Sequence, residues 1–393
     1  MDYREEALKV HEHNGKIEIR SKVKTDTKKD LGLIYTPGVA EVCREIAKDR
    51  SLAYKYTIKG NAVAIISDGS AVLGLKNIGA EAAMPVMEGK AVLFKELANI
   101  DAFPLCVRTQ DTDEIVTIVK NLGPTFGGIN LEDIAAPRCF DIERQLMDIG
   151  IPVMHDDQHG TAIVILAALI NAAKVVKKPI TDLKVVVNGS GAAGYAVTKL
   201  LLCMGIDQKI CTSVREIIVC DSRGAVYEGR PDLNPYKREL ASYTNGAKKK
   251  GQLGEVLEGA DVFIGVSTGN VLTKAMIKNM AKDPIVFAMA NPTPEIVPDE
   301  AKDAAVFGTG RSDFPNQVNN SLAFPGVFRG ALDARARKIN NEMKIAAANA
   351  IARYVPHPVK DNILPHTLDK GVHKAVSAAV KKAAIESGVG HII

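Results

Sequence analysis

Short, continuous apolar runs alternate along this chain with longer stretches whose apolar residues recur every three to four positions. Residues 62–67, 102–108, 126–131 and 151–154 are of the first kind and predict buried strands. Residues 85–97, 112–122 and 140–149 are of the second kind and predict helices between them. A second series follows, with strands at 183–188, 216–220, 260–266, 285–290 and 305–308 and helices between most of them. Before residue 58 the pattern is helical around a loop at Tyr35-Thr36-Pro37-Gly38, with a helix over 39–48. After residue 321 it is helical and Ala-rich. Strands alternating with helices predict an α/β fold.

The segment His155-Asp156-Asp157-Gln158-His159-Gly160-Thr161 separates the two series and opens a long apolar helix to about residue 176. It predicts two domains, 1–158 and 159–393: an N-terminal α/β domain, then a doubly wound parallel sheet of Rossmann type with C-terminal helices.

The second series opens with the sharpest local signal, Gly189-Ser190-Gly191-Ala192-Ala193-Gly194, between a Val-rich strand and a helix. In that context a G-x-G-x-x-G turn is a dinucleotide site. Gly189 permits the tight turn, Gly191 lets backbone approach a pyrophosphate, and Gly194 lets helix and strand pack closely. The helix N-terminus offers free N–H groups to the phosphates. Asp221 ends the next strand, where an acid binds adenosine ribose hydroxyls and repels a 2′-phosphate. Arg223, two residues on, would pair with one. The choice between NAD and NADP therefore stays open.

Composition narrows the class. A formal charge of +4 on 393 residues, with no long basic stripe, argues against nucleic-acid binding. The longest apolar stretch, 162–173, is interrupted by Asn171 and is too short to span a bilayer. The charged opening Met1-Asp2-Tyr3-Arg4-Glu5-Glu6 lacks the apolar core of a secretory signal. No C-x-x-C pair occurs among the six cysteines, so reduced thiols and a cytoplasmic location are expected.

Two acidic pairs, Glu132-Asp133 and Asp156-Asp157, fall at predicted strand ends, where both members of a pair can reach one ion. Carboxylates without thiolates suit Mg²⁺ or Mn²⁺. His155 and His159, spaced i, i+4, suggest zinc, but Gly160 and a missing Glu make a poor match to zinc hydrolases. Spacing alone also allows plain solvated turns.

Tyr35-Thr36-Pro37-Gly38-Val39, Glu88-Gly89-Lys90-Ala91-Val92-Leu93-Phe94, Asn130-Leu131-Glu132-Asp133-Ile134 and the 155–161 segment occur in this order. They precede a Rossmann pattern carrying Ala290-Asn291-Pro292-Thr293-Pro294. Together they resemble the malic enzyme family in its compact prokaryotic form, over nearly the whole chain. That resemblance implies metal-dependent oxidative decarboxylation of L-malate to pyruvate and CO₂ with reduction of NAD⁺ or NADP⁺, in a homodimer with its active site near the interface. It implies Lys90 as general base and Tyr35 as general acid, with Glu132, Asp133 and Asp157 as metal ligands. Asn291 and Asn320 would hold substrate near the nicotinamide, and Gly189, Gly191, Gly194 and Asp221, with the intervening turn residues Ser190, Ala192 and Ala193, would form the cofactor site. As a base, Lys90 needs a pKa well below the free value of about 10.4, a shift that burial and a nearby cation favour.

Two departures stand out. Ala71 occupies the position of an Arg that in the long eukaryotic enzymes binds a malate carboxylate, and Lys76 replaces a usual Gly. Rival readings are a metal-independent dehydrogenase of another small hydroxy or amino acid and a dinucleotide-binding regulator without turnover. A redox-neutral decarboxylation of malate to lactate is a further variant.

Overall fold

A computed structural model describes residues 4–12, 14–72 and 74–391; Met1-Asp2-Tyr3, at the start of the charged opening, lies outside them. Two sheets form the frame. The first runs β2 (Asp101–Cys106), β1 (Ala62–Ser67), β3 (Gly128–Leu131), β4 (Val153–His155), all parallel. Every residue of β1, β3 and β4 is buried, as a parallel sheet covered on both faces requires.

Register decides what meets at the sheet edge. Ile66 pairs with Leu131, and Leu131 with His155, so β1, β3 and β4 end level with one another. The residues that follow, Asp68, Glu132-Asp133 and Asp156-Asp157, therefore emerge along one edge. The two acidic pairs belong to neighbouring strands.

The second sheet has the order β10 (Val306–Thr309), β9 (Ile285–Ala288), β8 (Val262–Gly265), β5 (Lys184–Asn188), β6 (Glu216–Asp221), β7 (Gly224–Ala225). All its pairings are parallel except a short hairpin between β6 and β7. Chain order reverses between β5 and β8, the switch point where such sheets bind ligands. Asn188, Cys220, Gly265 and Ala288 end level there.

Helix Asp156–Val176 joins the halves. By length and composition it suffices to cross a membrane, but it packs inside the molecule. Asn171, buried midway along it, donates to the carbonyls of Ala352 and Ile363 at 2.8 and 2.9 Å, so its amide is not left without partners. Helices Phe324–Asp333 and Lys370–Glu386 pack on helix Gly79–Ala98 of the first sheet. Phe94 meets Phe324 and Phe328 edge-on, with ring centroids 4.8 and 5.5 Å apart. Truncating a buried Phe of this kind costs about 3–5 kcal/mol. Because Lys90 lies one turn earlier on the same helix, this packing also fixes the position of its amine.

One expectation is overturned. Cys203 and Cys211 form a disulfide, with Cα atoms 5.8 Å apart. The chain turns back after helix Ala192–Leu201 and brings the two side chains together, which spacing in sequence does not reveal. Cys43, Cys106, Cys139 and Cys220 are free.

Candidate active site

Helix Gly79–Ala98 carries Lys90 to the edge where β3 and β4 end. Its side chain is only 7% exposed, and its Nζ lies 2.5 Å from Glu132 Oε2 and 2.5 Å from Asp156 Oδ2. The Phe324 ring lies under the ammonium, 4.3 Å from centroid to Nζ. Asn320 Nδ2 donates to the same Asp156 oxygen at 2.6 Å. Asn319 instead caps its own turn by accepting from Ser321 N, so Asn320 is the member of that pair at the site.

Glu132, Asp133 and Asp157 each offer an oxygen within 4.8 Å of one another. Asp133 has a left-handed backbone (φ 52°), and its N–H donates to Asp157 Oδ2 at 2.8 Å, which ties the two strand ends together. Asn130 Nδ2 holds Glu132 Oε2 at 2.9 Å. Asp156 and Asp157 open a helix, where the macrodipole favours negative charge.

The electrostatics show what the cluster lacks. Burial pushes Glu132 up to about 7; Lys90 opposes the rise and Asp157 adds to it. Asp156 is likewise pushed up to about 7, by burial against the pull of Lys90 and with repulsion from Glu132. Asp157 is raised for the same reasons, burial first. One lysine does not offset so many acids at this spacing. An all-oxygen set of three crowded carboxylates suits a hard divalent ion.

Lys90 departs from expectation. Burial alone would lower its pKa, but Asp156, Glu132 and Asp157 outweigh burial and hold the ammonium above its ordinary value. The cation that would tip the balance downward is one that neutralises those carboxylates.

Tyr35 is not beside Lys90 in the single chain. It follows helix Lys28–Ile34, is 69% exposed, and is absent from the hydrogen bonds and ring contacts around Lys90. Neither histidine belongs to the carboxylate cluster found among the described residues. His159 pairs with Glu143 at 2.9 Å, while His155 is buried and held neutral, pulled down to about 4 by burial. Lys76 is exposed in a left-handed turn (φ 65°). Near Ala71, Arg138 pairs with buried Asp68 at 2.8 Å.

The glycine turn sits at the switch point. Gly189 has φ 125°, and a Cβ there would meet the Val266 carbonyl at 2.6 Å. On Gly194 a Cβ would lie 1.8 Å from the Gly189 carbonyl. Nothing lies within 4 Å of a Cβ on Gly191, which caps helix Ala192–Leu201, so its face is open for a phosphate. Asp221 ends β6 as expected, but its oxygens already accept from Arg230 Nη2 at 2.5 Å and Lys237 Nζ at 2.6 Å. Burial would raise the carboxyl; those bonds win and hold it down at about 2. Arg223 pairs with Asp232 at 3.0 Å. Asn291 is exposed just past β9.

Three site residues went unread in the sequence. Asp156 stood out only as half of a pair, and strand register alone makes it the partner of Lys90. Phe324 carried no chemical signal. Glu295 is wholly buried and accepts from Ser267 N and Ala290 N at 3.2 and 3.0 Å, which fixes the strand end before Asn291.

Residues 12–147 match the model of the malic enzyme N-terminal domain, and residues 158–385 that of the malic enzyme NAD-binding domain. The "Bifunctional malic/malolactic enzyme" of Bacillus subtilis is 58% identical, covering 100% of this chain and 95% of its own length. The NAD-dependent malic enzyme of Geobacillus stearothermophilus is 56% identical, over 95% of this chain and 78% of that protein. The NADP-dependent malic enzyme of Escherichia coli is 48% identical over 98% of this chain, which spans 53% of that protein. The crystal structure of the NAD-dependent malic enzyme from Thermotoga maritima superposes with a TM-score of 0.91 at 49% identity, covering 95% of this chain and 98% of that one.

Proposed function

The chain belongs to the malic enzyme family, and from that premise we propose that it decarboxylates L-malate oxidatively to pyruvate and CO₂. NAD⁺ or NADP⁺ is the hydride acceptor, bound at the turn from Gly189 to Gly194. Mg²⁺ or Mn²⁺ is held by Glu132, Asp133 and Asp157. The observation that carries this reading is a buried lysine touching two carboxylates at the edge of a three-carboxylate cluster.

A bound divalent ion stabilises negative charge developing on the substrate oxygens. Lys90 takes the proton of the C2 hydroxyl. It must first shed one of its own, and Asp156, at 2.5 Å, is the group positioned to receive it. Asn320, through its bond to Asp156, holds that carboxylate in place beside the substrate. Asn291 lines the nicotinamide side. Tyr35 delivers a proton to the enolate carbon after CO₂ leaves.

Since Tyr35 is exposed in the single chain, that role requires its segment to be covered or to close over the cleft. A homodimer would do so. Leu31, Leu33, Ile34, Val39 and Val42 are exposed around Tyr35 and form an apolar face suited to a partner subunit. A cytoplasmic location accords with this reading.

The test is the absorbance of reduced cofactor with malate and Mn²⁺, using NAD⁺ and NADP⁺ separately. Turnover that survives exhaustive chelation would reject the metal role. The name of the Bacillus subtilis relative favours a second product, lactate, which the same reaction mixtures would reveal by product analysis.

A further inference from the structure

A cavity of about 370 Å³ lies between helix Arg138–Leu146 of the first half and helix Ala192–Leu201 of the second, with Lys344 on a third wall. It contains none of the residues assigned above to metal, substrate or cofactor. Its apolar sides come from Phe140, Leu200 and the tilted rings of Tyr195 and Tyr236.

The charges lining it are matched except one. Lys199 pairs with Glu239 at 3.0 Å, and Arg144 pairs with Asp141. Glu143 accepts from His159 at 2.9 Å and from the His155 N–H at 2.9 Å. Lys344 is 7% exposed, and its Nζ lies 3.1 Å from His159 Nδ1. Among the described residues no carboxylate lies within ion-pair distance of it. The geometry fits a neutral His159 whose Nε2–H donates to Glu143 and whose Nδ1 accepts from Lys344. Glu143, on the far side of that ring, is the nearest negative charge that acts on the lysine, but it lies beyond ion-pair distance and is already engaged by His159 and the His155 N–H. A buried ammonium without a direct ion-pair partner is costly, and an anion in the cavity would relieve the cost.

We propose that this cavity binds a small organic carboxylate with an apolar body, its carboxylate on Lys344 and its body against Tyr195, Tyr236 and Leu200. The apolar and aromatic walls favour such a molecule over inorganic phosphate, and the volume lies in the range of small-molecule sites. The ligand would span both halves of the molecule, and Glu143 ties the cavity wall to the turn that carries Asp157.

Hexanoate is the probe. It carries one carboxylate and an apolar tail, and lacks the second donor group that a chelate with the metal needs. Calorimetric titration into the Mn²⁺-loaded protein, with excess oxalate filling the malate site, should show one saturable site per chain. Lys344→Met should weaken binding at least tenfold, and Ala196→Leu, which fills the cavity from another wall, should do the same. Phosphate at equal concentration should not compete. Absence of hexanoate binding to the wild-type protein would overturn the proposal without any variant. Binding unchanged in both variants, or abolished by oxalate, would overturn it equally. None of these outcomes touches malate turnover, so the assignment of the active site is judged separately.

Discussion

Lys90 Nζ and Asp156 Oδ2 are 2.5 Å apart, and the side chain of Asp156 has no exposure to solvent. A buried amine so close to a buried carboxylate forms a unit able to pass a proton without help from water. The carboxylate is also held by Asn320, so its position does not depend on the lysine alone.

Removing charge from either member should therefore impair chemistry more than binding. Lys90→Ala should lower kcat by at least about 10²-fold, within the range of 10² to 10⁴ typical of a positioned proton transfer. Asp156→Asn should lower kcat to a similar order while leaving dinucleotide affinity within about twofold, because the relay lies outside the glycine turn. Steady-state rates and fluorescence titration of the reduced cofactor check both. Near-normal turnover in either variant would remove that residue from the proton path.

Metal binding should depend on pH in a direction that Glu132 fixes. Its carboxyl is raised from 4.5 to about 7, chiefly by burial. A proton therefore competes with the ion below about pH 7. Mn²⁺ affinity should be full above that point and fall about tenfold per unit below it for each proton displaced. For the metal-free fold the sign is the same in origin but opposite in consequence. The folded chain keeps a proton that the unfolded chain loses between 4.5 and about 7. This group therefore makes chelated protein less stable as pH rises through that window. Asp157→Asn should weaken Mn²⁺ binding at any pH. Calorimetric titration at pH 6 and pH 8 reads these effects, and a flat affinity would contradict them.

Two glycines of the cofactor turn should fail in different ways. Gly194→Ala places a methyl 1.8 Å from the Gly189 carbonyl, so the fold itself must shift, at a cost of about 1–3 kcal/mol. Gly191→Ala meets nothing within 4 Å, so its melting temperature should stay near that of the parent while dinucleotide affinity drops. Thermal melts paired with cofactor titrations separate the two. A Gly191→Ala variant that binds cofactor normally would mean that the phosphates do not approach that face.

Tyr35→Phe should slow pyruvate formation without changing affinity for Mn²⁺ or dinucleotide, as expected for a proton donor that holds neither. Adding oxaloacetate isolates the later half of the reaction, because its decarboxylation needs the enolate protonated but no hydride transfer. An unchanged rate there would reject Tyr35 as the acid.

Much of this was legible in sequence, for identifiable reasons. The inner strands β1, β5, β8 and β9 are nearly continuous apolar runs, because parallel strands inside a sheet are buried on both faces. The glycine turn announces itself by residue type; the two acidic pairs stand out at strand ends, but only the resemblance to the malic enzyme family selects Glu132, Asp133 and Asp157 among them. What escaped depends on register and long-range contact. Asp156 becomes the partner of Lys90 only because Leu131 pairs with His155. Phe324 reaches Lys90 from 234 residues further along the chain. The disulfide depends on a local reversal of the chain. The carboxylates that oppose burial at Lys90 also escape, because the number facing it cannot be counted from its own helix.

Asp221 offers the last discrimination. An acid at the end of the second Rossmann strand ordinarily accepts ribose hydroxyls and excludes a 2′-phosphate. Here Arg230 and Lys237 occupy its oxygens, so its charge is already compensated by two neighbouring cations. Asp221→Ser should release both. A charge-assisted hydrogen bond is worth about 1.5–3 kcal/mol, so the ratio of kcat/KM for NADP⁺ over NAD⁺ should rise by about tenfold or more. The complementary change, Lys237→Ala, should lower that ratio by removing a cation while leaving Arg230 on Asp221. Measuring both ratios at low and high salt checks the mechanism, since a gain made by electrostatics must shrink as ionic strength rises. An unchanged ratio in Asp221→Ser would mean that the adenosine ribose lies elsewhere and that this cluster serves only to hold the β6–β7 hairpin.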